Sequence, residues 1–244
     1  MGQRMTGTIV AMLFAACVAR ANGQNEAEEK FKQMEEAISA AETLQFQIHG
    51  EVKLKKVVPY SGSAVFDNQN RFHIELLEKA EYTENEIKMI SDGKKQHFFQ
   101  TLNGAAKVFP VPDAMGKFLL GLFARGGAYA GALCMGGFFL KEEYWSQETW
   151  TLPEAPPEAK EFQLGAEEEV DGRACQTVSF AIGATGLSSD HKVTIWIDTE
   201  TNLPAKVHVK FSFWGQEAET TETWTEMKVD EEVEDATFAL PAPK

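Results

Sequence analysis

Five histidines, His49, His73, His97, His191 and His208, are the side chains best suited to acid–base or metal chemistry, and they are scattered singly. None belongs to H-E-x-x-H or another close ligand pair, so a zinc site has no local anchor. At least four fall in stretches whose neighbouring positions are apolar, which reads each as an outward polar position. No G-x-S-x-G elbow is present, nor G-x-x-x-x-G-K-[ST] or G-x-G-x-x-G, so nucleophilic and phosphate-cradling motifs are missing. Glu167, Glu168, Glu169 and Asp171 are close enough in sequence for paired-carboxylate work. Nothing apolar surrounds them to raise a pKa, and a solvated turn is the better reading. Asp198-Thr199-Glu200-Thr201-Asn202 starts like a calcium loop, but Leu203 stands where glycine is needed and Val209 where the last acid belongs. It reads as a hairpin turn. No catalytic residue, metal or cofactor is assigned, and the expectation is a protein that is not an enzyme.

The chain around these residues is acidic. Of 244 residues, 43% are hydrophobic and 25% charged, an ordinary globular balance with room for a full core. Lys and Arg total 23 against 37 Asp and Glu, a formal charge of -14. With no Lys/Arg cluster read in it, that charge argues against nucleic acid as a partner. It also disfavours docking on anionic lipid through a polybasic surface. Residues 1–23 read as a secretory signal: Arg4, the apolar stretch Thr8 to Val18, then Ala19-Arg20-Ala21 as cleavage site. That stretch is far short of the roughly 20 residues that span a bilayer. A second reading takes Phe14-Ala15-Ala16-Cys17 as a lipobox, leaving Cys17 acylated at the mature N-terminus. Simple cleavage is favoured, giving a periplasmic or otherwise secreted protein. Removing residues 1–21 takes away two Arg and no acid, so 21 basic face 37 acidic residues and the charge becomes -16. Cys134 and Cys175 then remain, either as a disulfide in an oxidising compartment or as two buried thiols.

What positions the side chains is a helix followed by strands. From Asn25 to about Thr43, Phe31, Met34, Ile38 and Ala41 recur at helical spacing on one face. The period then becomes two: Leu44, Phe46 and Ile48; Phe72, Ile74 and Leu76; Val193, Ile195 and Ile197; Val207, Val209, Phe211 and Phe213. Asn68-Gln69-Asn70, Asp92-Gly93, Asp171-Gly172, Thr201-Asn202 and Gly215-Gln216 separate the strands at hairpin spacing. One meandering antiparallel sheet with one apolar face follows, as a single domain over residues 24–244. Between its halves, residues 113–140 hold a short apolar helix with Met115, Phe118, Leu119, Leu122 and Phe123, then a glycine-rich apolar run. This segment is either a fixed plug or a movable lid. Pro153 to Pro157 reads as a stiff linker, and Glu217 to Asp235 as a solvated sheet face and edge.

Three short stretches in this order resemble the LolA/LolB-like proteins, the periplasmic lipoprotein carriers and their relatives. Ile90-Ser91-Asp92-Gly93-Lys94 is similar to the family's S-D-G-K hairpin. Asp198 to Val207 is similar to its D-x-x-T-x-L-P-x-K segment, and Thr237 to Pro243 to its F-x-x-P closing stretch. The resemblance covers most of Glu28 to Lys244. It implies an α+β fold: a curved antiparallel sheet forming an unclosed β-barrel, with the N-terminal helix and the central apolar segment on its concave face. The implied activity is non-covalent shielding of acyl chains of lipids or lipoproteins. Phe46, Ile48, Phe72, Ile74, Met89, Ile195, Phe211 and Phe213 of the sheet, with Phe118, Leu119, Leu122 and Phe123, are the expected lining. The alternative is an interaction or sensory module of the envelope, binding a protein partner on the same fold. The expected state is a monomer. The carriers' Arg-Pro is replaced here by Asp67-Asn68-Gln69-Asn70 before Arg71-Phe72, and the glycine-rich segment is longer than a carrier's lid.

Overall fold

A computed structural model describes residues 6–81, 83–101, 104–127, 157–183, 188–213 and 215–241. The helix α1 spans Thr6–Ala40, running through the expected signal segment and ending three residues before Thr43. Six strands follow: β1 (Thr43–Lys53), β2 (Val57–Asp67), β3 (Arg71–Lys79), β4 (Glu84–Asp92), β5 (Lys95–Gln100) and β6 (Ala105–Pro110). Helix α2 (Met115–Gly126) leads away from them. Five more strands complete the sheet: β7 (Ala159–Val170), β8 (Arg173–Ile182), β9 (Ser188–Asp198), β10 (Pro204–Phe213) and β11 (Gln216–Val229).

All eleven strands join one sheet in the order β6-β5-β4-β3-β2-β1-β11-β10-β9-β8-β7, each pair antiparallel. Hairpins build each half, because turn residues sit where the strands must reverse. Asp171 (φ 49°) and Gly172 (φ 77°) both take positive φ, the demand of a two-residue turn whose twist matches its strands. Asp198 accepts the amides of Glu200 and Thr201, so the apparent calcium loop is a capped turn. Among the described residues β6 and β7 are the two edges, and the sheet does not close. β11 was expected partly as an edge; it lies at the centre instead, between β1 and β10. Its alternating Thr and Glu disguise a strand paired on both sides.

Period-two alternation places one side chain in two on the inner face. Across β1–β2–β3 the register aligns Phe46, Ala64 and Ile74, with Leu44, Phe66 and Phe72 beside them. Across β8–β9–β10 it aligns Val178, Ile195 and Val207. All are buried in a single core. α1 joins through Phe31, Met34 and Ile38, and Phe31 lies against Phe180 at 4.8 Å and Phe162 at 5.3 Å between ring centroids. Apolar side chains are covered at two spots on the outer face. Cys175, Trp196 and Ala205 form a small buried cluster. A 3-10 turn, Asp235–Phe238, lies against β3 and β4, and Phe238 is buried. Arg71 pins that turn: it pairs with Asp235 at 2.6 Å and with Asp67 at 2.5 Å, and its guanidinium lies over the Phe238 ring.

Candidate functional site

The site is built where α2 meets the inner face. α2 carries one apolar stripe, Met115, Leu119 and Phe123, four residues apart and fully buried. At twelve residues it is marginal as an isolated helix, so its seat holds it in place. Phe123 points edge-on at Phe66, 5.8 Å between centroids. Phe66 in turn neighbours Phe46 at 6.4 Å and Phe72 at 6.3 Å, and Phe46 stacks on Trp224 at 4.6 Å. The four sheet rings form an aromatic seat for Phe123 of the helix, worth more than area burial alone because offset and edge contacts are favourable.

Each end of α2 is tied by polar contacts. At its start, the Asn70 side chain accepts the Gly116 amide at 2.8 Å and donates to the Pro112 carbonyl at 2.8 Å. At its end, Gly127 donates to Phe123 at 2.7 Å and lies directly on the Glu222 carboxylate. Gly127 has φ 79°, and a Cβ there would stand 2.8 Å from the Glu222 carboxyl carbon, so only glycine fits. Glu222 itself is 2% exposed. The Tyr60 hydroxyl donates to one of its oxygens at 2.9 Å and the Trp224 indole to the other at 2.6 Å. This is a polar spot on an otherwise apolar face.

A third tie joins the two helices. Arg125 of α2 pairs with Glu35 of α1 at 2.5 Å, donates to the Gly121 carbonyl and lies over the Phe31 ring. Burial holds the Glu35 carboxyl above its ordinary range despite the pull of Arg125 and Lys32. Burial likewise pushes the Arg125 guanidinium down, against the field of Glu35. Beside this pair lies a cleft of about 250 Å³ between α1, α2 and the start of β1 with the end of β2. Its floor includes Ile38, Leu44, Phe66, Leu120 and Ala124; Glu35, Glu42, Lys117 and Arg125 stand around it. That volume is just below the usual range of about 300–1,000 Å³ for ligand pockets.

The structure brings most of the expected lining together. Phe46, Ile48, Phe72, Ile74, Met89, Ile195 and Phe211 all face the same core and are buried, as are Leu119 and Phe123. Phe118 and Leu122 fall off the central stripe and are only partly buried against it. Phe213 ends β10, and its side chain lies outside those described. Of the glycine-rich run, residues 128–140 lie outside the described residues, as does Cys134; Cys175 has a free, buried thiol. His191 departs from the expected outward set: it is buried, pairs in register with Ile182 and stacks on Phe211 at 5.7 Å. Tyr60, Phe66, Glu222 and Trp224 were not anticipated. Tyr60, Ala64 and Phe66 do alternate at period two, so that strand was readable. Glu222 and Trp224 sit in an acid- and threonine-rich stretch that conceals an inward face. Gln96 adds a further inner-face polar group, 1% exposed, with neither amide atom hydrogen-bonded. Among the described residues no three His, Cys, Asp or Glu are grouped to hold a metal.

The stretches that carried the resemblance occupy turns and a closing contact of this architecture. Ser91 to Lys94 forms the β4–β5 turn, with Asp92 accepting the amides of Lys94 and Lys95. Asp198 to Val207 forms the β9–β10 turn, and Phe238 seats the C-terminal turn. One open antiparallel sheet with two helices on its inner side is the arrangement the resemblance implies. No known family profile and no curated protein matches the chain. Among solved structures it is similar to the lipoprotein LppX of Mycobacterium tuberculosis, at 10% identity over 86% of this chain and 98% of that one, TM-score 0.48. It is similar to LprF of Mycobacterium bovis, at 11% identity over 90% and 98%, TM-score 0.48. A LolA superfamily protein of Nitrosomonas europaea is similar at 11% identity over 88% and 97%, TM-score 0.36.

Proposed function

We propose that this chain binds a lipid or lipoprotein acyl chain non-covalently on its inner face, outside the cytoplasm, with α2 as the removable cover. The observation that carries this reading is the aromatic seat of Phe46, Phe66, Phe72 and Trp224, filled by the single inserted ring Phe123. A seated Phe contributes about 1.5–3 kcal/mol of burial, and each acyl CH₂ about 0.8 kcal/mol. About two to four methylenes therefore replace what Phe123 supplies, and about six to eleven replace the whole buried stripe of Met115, Leu119 and Phe123, still within the length of one acyl chain. The cleft beside Phe66 gives a chain end its first apolar surface. Native mass spectrometry and solvent extraction of the purified protein test the reading. Co-purifying lipid supports it, and repeatedly clean extracts together with no uptake of a fluorescent fatty acid overturn it.

The near-complete burial of the inner face favours a second reading, a fixed core whose surface binds an envelope protein. Affinity purification that recovers one stoichiometric partner, with no lipid in the extract, selects it.

A further inference from the structure

We propose that the tip of the β1–β2 hairpin docks on an anionic lipid bilayer. The tip is the run Lys53-Leu54-Lys55-Lys56-Val57, every residue of it exposed. Leu54 and Val57 are 47% and 51% exposed, two of only four large hydrophobic side chains so open among the described residues. Three lysines stand among them in a chain with a formal charge of -14. The whole-chain charge hides this local cluster.

The geometry suits shallow insertion. The three-residue loop is closed by the Leu54 amide donating to the Lys56 carbonyl at 3.2 Å, and Lys53 pairs in register with Val57. The tip is therefore a preorganised projection, and seating it orders little new chain. Lys56 reaches Glu81 at 3.3 Å and Lys53 reaches Glu219 at 3.9 Å, both with more than half of the lysine side chain exposed. Such surface pairs are weak and exchange readily for phosphate. Lys55 makes no ion pair among the described residues. Glu51 is the remaining exposed acid of the hairpin. At physiological ionic strength charges are screened over about 8 Å, so Glu51, Glu81 and Glu219 act at the contact while the more distant acids of the chain contribute little. Leu54 and Val57 enter the boundary between headgroups and acyl chains, while the lysine stems lie along it with their ammonium groups at the phosphates.

The placement matters too. One residue inward, Val52 pairs with Val58, and Val52 is buried in the core; beyond them lie Tyr60 and Glu222, where α2 ends. A tip seated on a bilayer brings that end of the inner face to the acyl layer. The proposal stands without the cargo reading, since docking is measured with no acyl ligand added.

The test is flotation of the full chain with phosphatidylcholine vesicles, with and without phosphatidylglycerol, at low and high salt. Wild type floats with the anionic vesicles at low salt and is released by high salt. Each lysine at an anionic surface contributes about fivefold, so K55E/K56E weakens binding by about 25-fold or more. L54S/V57S weakens binding while keeping the salt dependence, and both variants keep the wild-type circular dichroism because the tip is solvent-exposed. Wild type that stays unbound at low salt, or binds neutral and anionic vesicles alike, overturns the proposal. So does a K55E/K56E variant that floats like wild type.

Discussion

Phe123→Ala separates a removable cover from a fixed part of the core. The ring is fully buried and meets Phe66 edge-on at 5.8 Å. Burial of a Phe side chain contributes about 1.5–3 kcal/mol, the aromatic pair about 0.5–1.5 kcal/mol, and Phe→Ala in cores costs about 3–5 kcal/mol. A loss near 3 kcal/mol is therefore expected where the seat is otherwise intact. If α2 competes with an acyl chain, that loss falls on the competitor, and about 3 kcal/mol converts to as much as about a 150-fold gain in apparent affinity. The assay is titration of a fluorescent fatty acid into wild type and variant, alongside urea unfolding of both. Tighter binding with a modestly lowered unfolding midpoint is the expected pair of results. An unfolding midpoint that falls by the full amount with unchanged probe affinity refutes the cover: α2 would then be permanent core.

Arg125→Met leaves Glu35 half-buried without its cation, raising its carboxyl further above the ordinary range. The destabilisation, about 1–3 kcal/mol, is present above that raised pKa and shrinks as acid protonates Glu35, which urea melts across pH will show. Gly127→Ala forces a Cβ at φ 79° onto the Glu222 carboxylate; a loss of about 1–3 kcal/mol and faster hydrogen exchange in the last turn of α2 are expected. Stability also falls in acid in two stages. His97 and His208 are both held below the ordinary histidine value, first by burial, so their contribution is lost as pH falls below about 6.5. Burial pushes the Glu75 and Asp92 carboxyls up, but hydrogen bonds from Lys88 and His73, and from the Lys95 and Lys94 amides, outweigh it and hold both low. Their contribution disappears as pH drops through the carboxylate range. Thermal melts in which His97→Phe flattens the first stage and Glu75→Gln the second will check the assignment.

The sheet was readable because its code is local. Leu44, Phe46 and Ile48, or Val207, Val209 and Phe211, announce an inward face by period alone, and Asp171-Gly172 names its own turn. α2 was legible as a helix, but its stripe of Met115, Leu119 and Phe123 could not be told from Phe118 and Leu122 without knowing the wall it meets. Strand neighbours at long range were not legible. Nothing in the run Glu217 to Val229 says that it pairs with β1, so a central strand looked like an edge and Glu222 looked solvated. Arg71 shows the same limit. Its acidic neighbour Asp67 was visible, whereas Asp235, which fixes it to the outer face, comes from the far end of the chain.

The seam between β1 and β11 has a consequence for how the molecule comes into being. Asp230 accepts the amide of Glu42, 188 residues away in sequence, and the Phe46–Trp224 stack spans the same junction. Each half of the sheet can fold by hairpins on its own side, but the junction forms only when the last strand arrives. Pairing of this range is slow, because loop closure precedes any contact that rewards it. Until then β1 presents an open edge, a liability for strand-to-strand association. A chain truncated before β11 would therefore be two unjoined meanders with sticky borders. The cradle is completed by its final strand and by nothing earlier.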